Sequence, residues 1–580
     1  MGFLAWLERQ APDFLLTWQR FWFAIVLAAL TTAVVLAEIN NIGWLRFDGN
    51  ERTFLGLATG AVLAVAGVYF AESRPEARLT GVMLKYLLPI AGVAVFQIRD
   101  PAWVVPYALP AVAVFWLSVS PFTRIERGAP RAEVQNRFWW VNFQAFTTAV
   151  IAAIAFLLIS LGLFAIERSL SVLFGVATDQ LFYRWVLPFT GVFLVPVYWL
   201  STLPQLSAYR AEELERPDFL PRAFGFLGQF VLVPLLLIYS LILLAYTGQI
   251  VITQKLPEGM IGWMVLGFVV IGAAAWLVLH PPFMRNRTLV RVFRTWWFWL
   301  TLIPLGLFFI AVSIRIEAYG LTDERMLLVA GGIWASVLAA VFLVGRGDIR
   351  LIPALAGLIL LLVSIGPWNY ANLPLAQQTM RLDTLLMQPG KGGSSFPPDW
   401  TPEQVAKAAS IMDFLASSPA GDPKLAELLQ RYGLKSRAVT SASVLEELGY
   451  KHPTYTVPVT GIAAQRDSLT QQVDVSATPI LLGSLTIYAA GQATVAGLSF
   501  EIGANKFRIL NQTAPETDLT GWIARQPEGA LVDPWIDFAI GDRQYRYVID
   551  YMTADLAEGG QRTLTYLGGT LFASTPKPTP

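Results

Sequence analysis

Cysteine is absent from the 580 residues, histidine occurs twice, and charged side chains make up only 14% of the chain. The first absence excludes disulfide scaffolds, cysteine nucleophiles and zinc ribbons, and two histidines exclude multi-histidine metal sites. A formal net charge of +1 gives no footing for nucleic acid. What the chain has in excess is apolar: 55% of residues, with a mean hydropathy of +0.52, against about 45–50% apolar and about 25% charged in ordinary soluble domains. That balance excludes an ordinary cytosolic enzyme and describes a polytopic membrane protein with a soluble appendage.

The composition shifts near residue 367. Residues 1–367 hold 26 Lys+Arg and 21 Asp+Glu; residues 368–580 hold 16 and 20. In the front part eleven apolar runs recur, near Phe21–Glu38, Thr53–Ala71, Leu79–Ile98, Trp103–Phe122, Phe138–Ile166, Trp185–Leu203, Phe226–Ile250, Met260–Leu279, Trp296–Ile314, Met326–Val344 and Leu351–Ile365. Each approaches the ~20 residues that cross ~30 Å of hydrocarbon at 1.5 Å per residue, and lipid leaves the backbone no partner except its own helix. An odd number of crossings puts the two ends of the chain on opposite faces. With the N-terminus inside, inner segments carry 17 basic residues, among them Arg131, Arg285, Arg291, Arg294 and Arg350, and outer loops carry 8. The positive-inside rule therefore puts the N-terminus in the cytoplasm and residues 368–580 outside it.

The expected architecture is thus an α-helical multi-pass membrane bundle of about eleven transmembrane helices with a C-terminal extracytoplasmic α+β domain. Residues 1–20 form an N-terminal interfacial segment, 21–367 the bundle, 368–400 a helix and linker, and 401–580 the soluble domain. Phe3, Leu4, Trp6, Leu7, Phe14, Leu15 and Trp18 have helical spacing suited to the inner interface, and the first run reads as an uncleaved anchor. Trp22, Trp44, Trp103, Trp139, Trp140, Trp185, Trp263, Trp296, Trp297 and Trp368 cluster near run ends, as an interfacial belt would. Leu170, Leu173, Phe174 and Ala177 predict a short helix on the outer surface, a connector or a lid.

Polar residues inside the runs are few, which disfavours a proton-coupled pump or voltage sensor. Lys85 reads as snorkelling to the inner interface or as an internal charge with a role; Asn142, Gln144 and Gln229 read as interhelical hydrogen bonders. Pro89, Pro106, Pro110, Pro188, Pro196, Pro234, Pro304 and Pro353 predict kinks, and Gly56/Gly60 and Gly331/Ala335 predict close helix packing.

Several motifs are specific. They are Phe138-Trp139-Trp140-Val141-Asn142, the stretch from Pro234 to Tyr246, Leu256-Pro257-Glu258-Gly259, the loop Arg315-Ile-Glu317-Ala-Tyr319-Gly320-Leu-Thr322-Asp323-Glu324-Arg325, and Gly366-Pro367-Trp368 followed by Arg381-Leu382. Over most of residues 130–390 the chain resembles the bacterial domain-of-unknown-function family 4153, with Gln377-Gln378 where the family pattern has Ser-Gln. The resemblance implies a bacterial inner membrane and supplies no reaction, substrate or cofactor.

The loop carrying Arg315, Glu317, Tyr319, Thr322, Asp323 and Arg325 is the best candidate site, with Lys85 and Asn142 behind it. Gly320 is suited to a positive φ, and Thr322 followed by Asp323 and Glu324 looks like a helix N-cap with acidic first-turn residues. The loop is either a capped turn with ion pairs at the membrane surface or a binding element for headgroups or for the exterior domain.

In the tail, Gly390–Pro398 reads as a linker. Helices are expected after Thr401, over Lys424–Arg431 and over Ser443–Leu448. Strands are expected over Tyr455–Val459, Gln472–Ser476, Ile480–Tyr488, Leu498–Ile502, Lys506–Leu510, Trp535–Ile540, Gln544–Tyr551 and Arg562–Phe572, in one antiparallel sheet. His452, His280 and the Asp533/Asp537 pair make poor catalytic candidates, so no enzyme, cofactor or metal is expected. Two functions remain. One is an envelope interaction, assembly or sensing protein with an exterior binding domain. The other is a carrier or flippase for a lipid or amphipathic solute, with a cavity lined by Lys85, Asn142 or Gln229. The partners are then the lipid bilayer and an envelope protein or a lipid, with the oligomeric state open.

Overall fold

The computed structural model describes residues 14–43, 50–98, 103–123, 131–175, 179–215, 217–253, 261–345, 347–390, 397–434, 440–450, 461–466, 471–488, 492–503, 505–510, 512, 516–527, 529–556 and 562–575. It divides into two compact units, Met1–His452 and Pro453–Pro580.

In the first unit every apolar run is helical. Among the described residues eight helices are long and apolar enough to cross a membrane: α1 (Phe14–Ile39), α2 (Asn50–Ser73), α3 (Arg78–Val95), α5 (Arg131–Phe174), α6 (Phe182–Thr202), α7 (Phe219–Thr253), α9 (Thr288–Tyr319) and α10 (Asp323–Leu343). The expected runs at Trp103–Phe122, Met260–Leu279 and Leu351–Ile365 form shorter apolar helices, α4 (Pro106–Phe122), α8 (Ile261–Val278) and α11 (Leu351–Ser364).

The prolines act through helix register. Pro89, Pro188, Pro196 and Pro234 each follow a π-helical turn, over Met83–Leu87, Phe182–Val186, Thr190–Leu194 and Gly228–Leu232. In each case the residue before the proline donates its N–H five residues back, as Leu88 does to Met83 O. The wider turn makes room for the ring that a regular turn would press against the carbonyl four residues earlier. Pro304 stands alone inside a long helix. Several hydroxyls in the apolar runs are satisfied locally, as Thr31 and Thr32 donate to Leu27 O (2.7 Å) and Ala28 O (2.8 Å), whereas the buried Thr59 hydroxyl has no partner among the described residues.

Several expectations change. The Glu167–Arg184 stretch is not a surface helix: Leu170, Leu173 and Phe174 are the last turn of α5, which runs unbroken for 44 residues, while Ala177 lies outside the described residues. The tryptophan belt is only partly a belt. Trp103, Trp185, Trp263, Trp296 and Trp368 are exposed, whereas Trp139, Trp140 and Trp297 are buried; Trp44 lies outside the described residues. Trp297 lies across α8 at Gly272, where a Cβ would overlap its ring. It joins Phe268, Trp276, Phe293, Phe298 and Phe342 in an aromatic core between α8, α9 and α10. Thirdly, the expected strand Gln472–Ser476 is irregular, and Tyr455–Val459 lies outside the described residues. The early segment Phe3–Leu7 and the Leu256–Gly259 motif lie outside them too.

Close packing explains the glycines read as contact points. A Cβ on Gly60 would sit 3.2 Å from Pro89 O and 2.8 Å from Val93 Cγ2, so α2 and α3 meet nearly backbone to backbone.

After α11 the first unit continues in a small helical layer: α12 (Asn372–Leu386), α13 (Pro402–Ala416), α14 (Gly421–Arg431) and α15 (Ser441–Glu447). These pack around Leu382, Leu386, Met412, Leu415, Leu425 and Leu428. Thr401 caps α13 in a reciprocal box with Gln404.

The second unit is strand-rich. One six-stranded sheet has β2 (Ile480–Tyr488), β10 (Arg562–Ala573), β9 (Arg543–Leu556), β1 (Gly461–Gln465) and β7 (Gly529–Ala530) in that order, with β8 (Trp535–Ile540) also on β9. A four-stranded sheet runs β3 (Gln492–Val495), β4 (Leu498–Gly503), β5 (Lys506–Ile509), β6 (Thr517–Asp518). Two sheets therefore replace the single sheet expected, and β1–β7 is parallel. Phe507 of the smaller sheet stacks on Tyr547 of the larger at 5.9 Å, and Phe500 meets Phe538 at 6.0 Å. The alternating burial of β4 supplies that contact face.

Candidate functional site

Hydrogen bonds gather the helix ends of the first unit into two polar layers. One layer is rich in arginine. Arg285 Nη2 donates to Asn136 Oδ1 (3.0 Å), Ile349 N to Gln135 Oε1 (3.3 Å), and Arg350 Nη1 to Phe122 O (2.9 Å). In the other, Asn40 donates to Arg184 O (3.1 Å), Arg52 to Ile98 O (3.1 Å), and Val104 bridges Ile365.

The loop singled out from the sequence is a clamped turn. Gly320 takes φ +82 and ψ 178, a conformation open to glycine, and ends α9. Thr322 caps α10, accepting the Arg325 N–H at 3.4 Å, with Asp323 and Glu324 in the first turn. Arg325 Nη1 donates to Gly320 O (2.6 Å), and its guanidinium lies 5.7 Å from the Tyr319 ring. Helix α12 completes the clamp. Gln378 donates to Tyr319 O (3.0 Å) and Leu321 O (3.1 Å), Leu321 N donates to Gln377 Oε1 (2.7 Å), and Arg381 donates to Ile316 O (3.2 Å) and Glu317 O (2.8 Å). The carbonyls that end α9 are thus met by a cation, as the helix dipole favours. Arg315 is half-buried, and Glu317 and Tyr319 are exposed on the last turns of α9. The fully buried Asn369 fixes the start of α12, its Oδ1 accepting from Ala371 N (3.1 Å) and Asn372 N (2.8 Å). Gln377 and Gln378 appear in the sequence only as a family motif; their role depends on a turn 56 or more residues away, which no local pattern reveals.

Lys85 and Asn142 belong to neither cluster. Lys85 is half-buried in the π-helical turn of α3, its Nζ 5.4 Å from the Tyr86 ring. Asn142 donates to Phe138 O (2.9 Å) on its own helix and Ser118 O (3.2 Å) on α4.

Two cavities lie in the arginine-rich layer. The larger, about 630 Å³, is lined by Arg20, Phe21, Glu72, Leu200 and Leu203. Its cation is committed: Arg20 pairs with Glu72 (2.7 Å) and donates to Leu203 O (2.9 Å) and Pro204 O (3.0 Å). The other, about 410 Å³, is lined by Arg285, Arg291, Arg294, Trp276, Gln135 and Thr295 among others. Asp348, between the lining residues Gly347 and Ile349, is taken by Arg350 (2.9 Å) and Arg131 (3.5 Å). His280 beside this cavity is buried; its burial and the neighbouring Arg285 and Arg294 push its pKa down to about 2, so it stays a neutral ring. Arg285 donates to its carbonyl (2.6 Å), and Arg285 Nη2 lies 2.5 Å from His280 Nε2. Burial also lowers the Arg285 pKa. In the sequence these arginines served only to orient the bundle.

In the second unit Asp537 pairs with Arg546 (2.6 Å), and Asp533 takes φ +46 in a turn. His452 lies outside the described residues. Among the described residues no group of three or more His, Asp or Glu is arranged to hold a metal.

The chain is similar to uncharacterized protein PM1469 of Pasteurella multocida, 24% identical over 205 residues. The match takes in 34% of this chain and 33% of that protein, so the chain spans about a third of the relative's length. No solved structure matches it. A family model described as a domain of unknown function, DUF4153, matches residues 3–387, from the start of the bundle to the end of the clamping helix α12. The chain, with its apolar helices and its clamped Tyr319-Gly320-Leu321-Thr322 turn, therefore belongs to the DUF4153 family.

Proposed function

We propose that this is a bacterial inner-membrane protein of eleven crossings, N-terminus in the cytoplasm, that presents its tail outside the cytoplasm to an envelope partner in interaction, assembly or sensing. Counting α4 and α11 among the crossings is supported by the way these two short helices are joined at both ends. Val105 N donates to Ser364 O (2.8 Å) at one end of α4 and α11, and Arg350 donates to Phe122 O at the other. The arginine census supports the orientation.

The observation that carries the role is the clamp. Gln377, Gln378 and Arg381 of α12 grip the turn between two membrane helices, and α12 is itself the first member of the helical layer formed by residues 372–447. The helical layer at 372–447 is thereby mounted on the bundle by a fixed junction rather than a loose tether, as an element that reports or transmits binding requires. A carrier would use Lys85, Asn142 or Gln229 to line a polar cavity at membrane depth. Asn142 instead satisfies its amide against backbone carbonyls, and none of the three lines either cavity described above. We read the protein as non-enzymatic: the candidate acids and bases among the described residues are engaged in structure, Asp537 with Arg546 and the buried His280 with Arg285.

The test joins topology to contact. Alkaline phosphatase fused after residue 580 is expected to be active, and protease is expected to cut the tail in intact spheroplasts. A photo-crosslinking residue at the exposed Tyr488 or Tyr551 is expected to give a discrete adduct in growing cells. A tail cut only in inverted vesicles refutes the orientation, and absence of any adduct from a correctly placed tail refutes the binding role.

A further inference from the structure

The 410 Å³ cavity in the arginine-rich layer has a composition that the fold does not explain. Arginines near helix ends are ordinary in membrane proteins, but they then extend to headgroups and water. Here three converge on one hollow. Arg294 lies flat over Trp276, its Cζ 4.5 Å from the ring centroid, which fixes the guanidinium plane. Its Nη1 is buried and has no hydrogen-bond partner among the described residues. Arg285 is held from behind by His280 O and Asn136 Oδ1, and Arg291 stands exposed on the same helix as Arg294, three residues before it. Among the described residues no carboxylate lines it, and the adjacent Asp348 is shared by Arg350 and Arg131.

Half-buried cations without a counter-charge are unfavourable unless an anion completes them. Planar guanidinium forks held in fixed orientation are the groups best matched to phosphate oxygens. The volume falls within the ~300–1,000 Å³ of small-molecule sites. We propose that Arg285, Arg291 and Arg294 form a binding site for a phosphoryl group, carried by a free phosphate compound or by a lipid headgroup. In it Arg294 and Arg285 supply half-buried guanidinium groups and Arg291 an exposed one. The site stands whichever face of the membrane this layer occupies and whatever the tail binds, so it goes beyond the role proposed above.

The test uses the full chain in phosphatidylcholine nanodiscs, titrated with inorganic pyrophosphate and, separately, rebuilt with phosphatidylglycerol. Binding is read as a shift in melting midpoint and in the emission of tryptophan, since Trp276 lies under Arg294. Native mass spectrometry counts retained phosphatidylglycerol. Saturable binding of pyrophosphate, weakened at least tenfold by R291Q and by R294Q but less than twofold by R222Q, supports a free phosphate compound. Retention of phosphatidylglycerol that the same two variants abolish, with no response to pyrophosphate, supports a headgroup. R291Q changes an exposed side chain, so its result stands even if R294Q fails to fold. Equal behaviour of wild type and R291Q in both arms overturns the proposal.

Discussion

The two polar clusters of the bundle make opposite use of similar residues. The turn at 315–325 crowds charge into a short stretch of sequence, yet Gln377, Gln378, Arg325 and Arg381 direct hydrogen bonds to the backbone carbonyls and N–H groups of that turn, with Gln378 Oε1 left without a partner among the described residues. The cavity at Arg285, Arg291 and Arg294 draws its residues from four separate stretches, and one of its guanidinium nitrogens is buried without a partner among the described residues. Density of charge along the chain therefore marks a structural joint, and the open chemistry lies where charge converges only in three dimensions. A satisfied polar group stabilises; an unsatisfied one is available to a ligand.

The sharpest way to break this contrast is at the carboxylate that separates the arginines which are neutralised from those which are not. Asp348→Asn removes the buried carboxylate that Arg350 and Arg131 share and is expected to cost about 3 kcal/mol, as loss of the buried member of an ion pair does. It is read as a fall in melting midpoint of the purified protein.

A pH titration tests the neutral ring next to the cavity. His280 has its pKa pushed down to about 2 from the usual 6.5, first by burial and then by Arg285 and Arg294. The unfolded chain takes up a proton below about 6.5 while the folded one does not. Stability should therefore decline as pH falls, by about 2 kcal/mol between pH 7 and pH 5. H280Q should flatten that profile, and an unchanged slope in this variant would show the ring is not the titrating group.

At the opposite end, Gly320→Ala should cost roughly 1–3 kcal/mol, because φ +82 with ψ 178 is a glycine conformation and a Cβ there would press on Gln378 and Arg381. Thermal unfolding checks it, with Q378A expected to lose about 1–3 kcal/mol by leaving two carbonyls with one partner fewer. The smallest effect belongs to R291Q, an exposed position where stability should move by less than about 0.5 kcal/mol. A large loss there would make Arg291 structural and erase the difference between the clusters.

Local signals were read well where local physics dominates. Thr322 and Thr401 are N-caps, Gly320 is at positive φ, and strands such as Ile480–Tyr488 and Trp535–Ile540 carry their expected bounds. Pro89, Pro188, Pro196 and Pro234 were legible as perturbations, but not as π-helical turns, since the turn depends on how the preceding carbonyls are placed. The tryptophans misled at Trp139, Trp140 and Trp297. A position near a run end fits a belt, and only the groove left by Gly272 shows that Trp297 turns inward.

The sequence alone determined that the apolar runs between residues 14 and 364 are helical where described, because a segment with so few charges has no other way to satisfy its backbone in lipid. It also determined the caps and the family, both of which are written in short consecutive stretches. Tertiary structure decided which polar residues are spent and which are free. Gln378 reaches a turn 57 residues away, and Arg285 meets an asparagine 149 residues before it. Whether a side chain has a partner depends on distances between helices, and helix packing sets those distances.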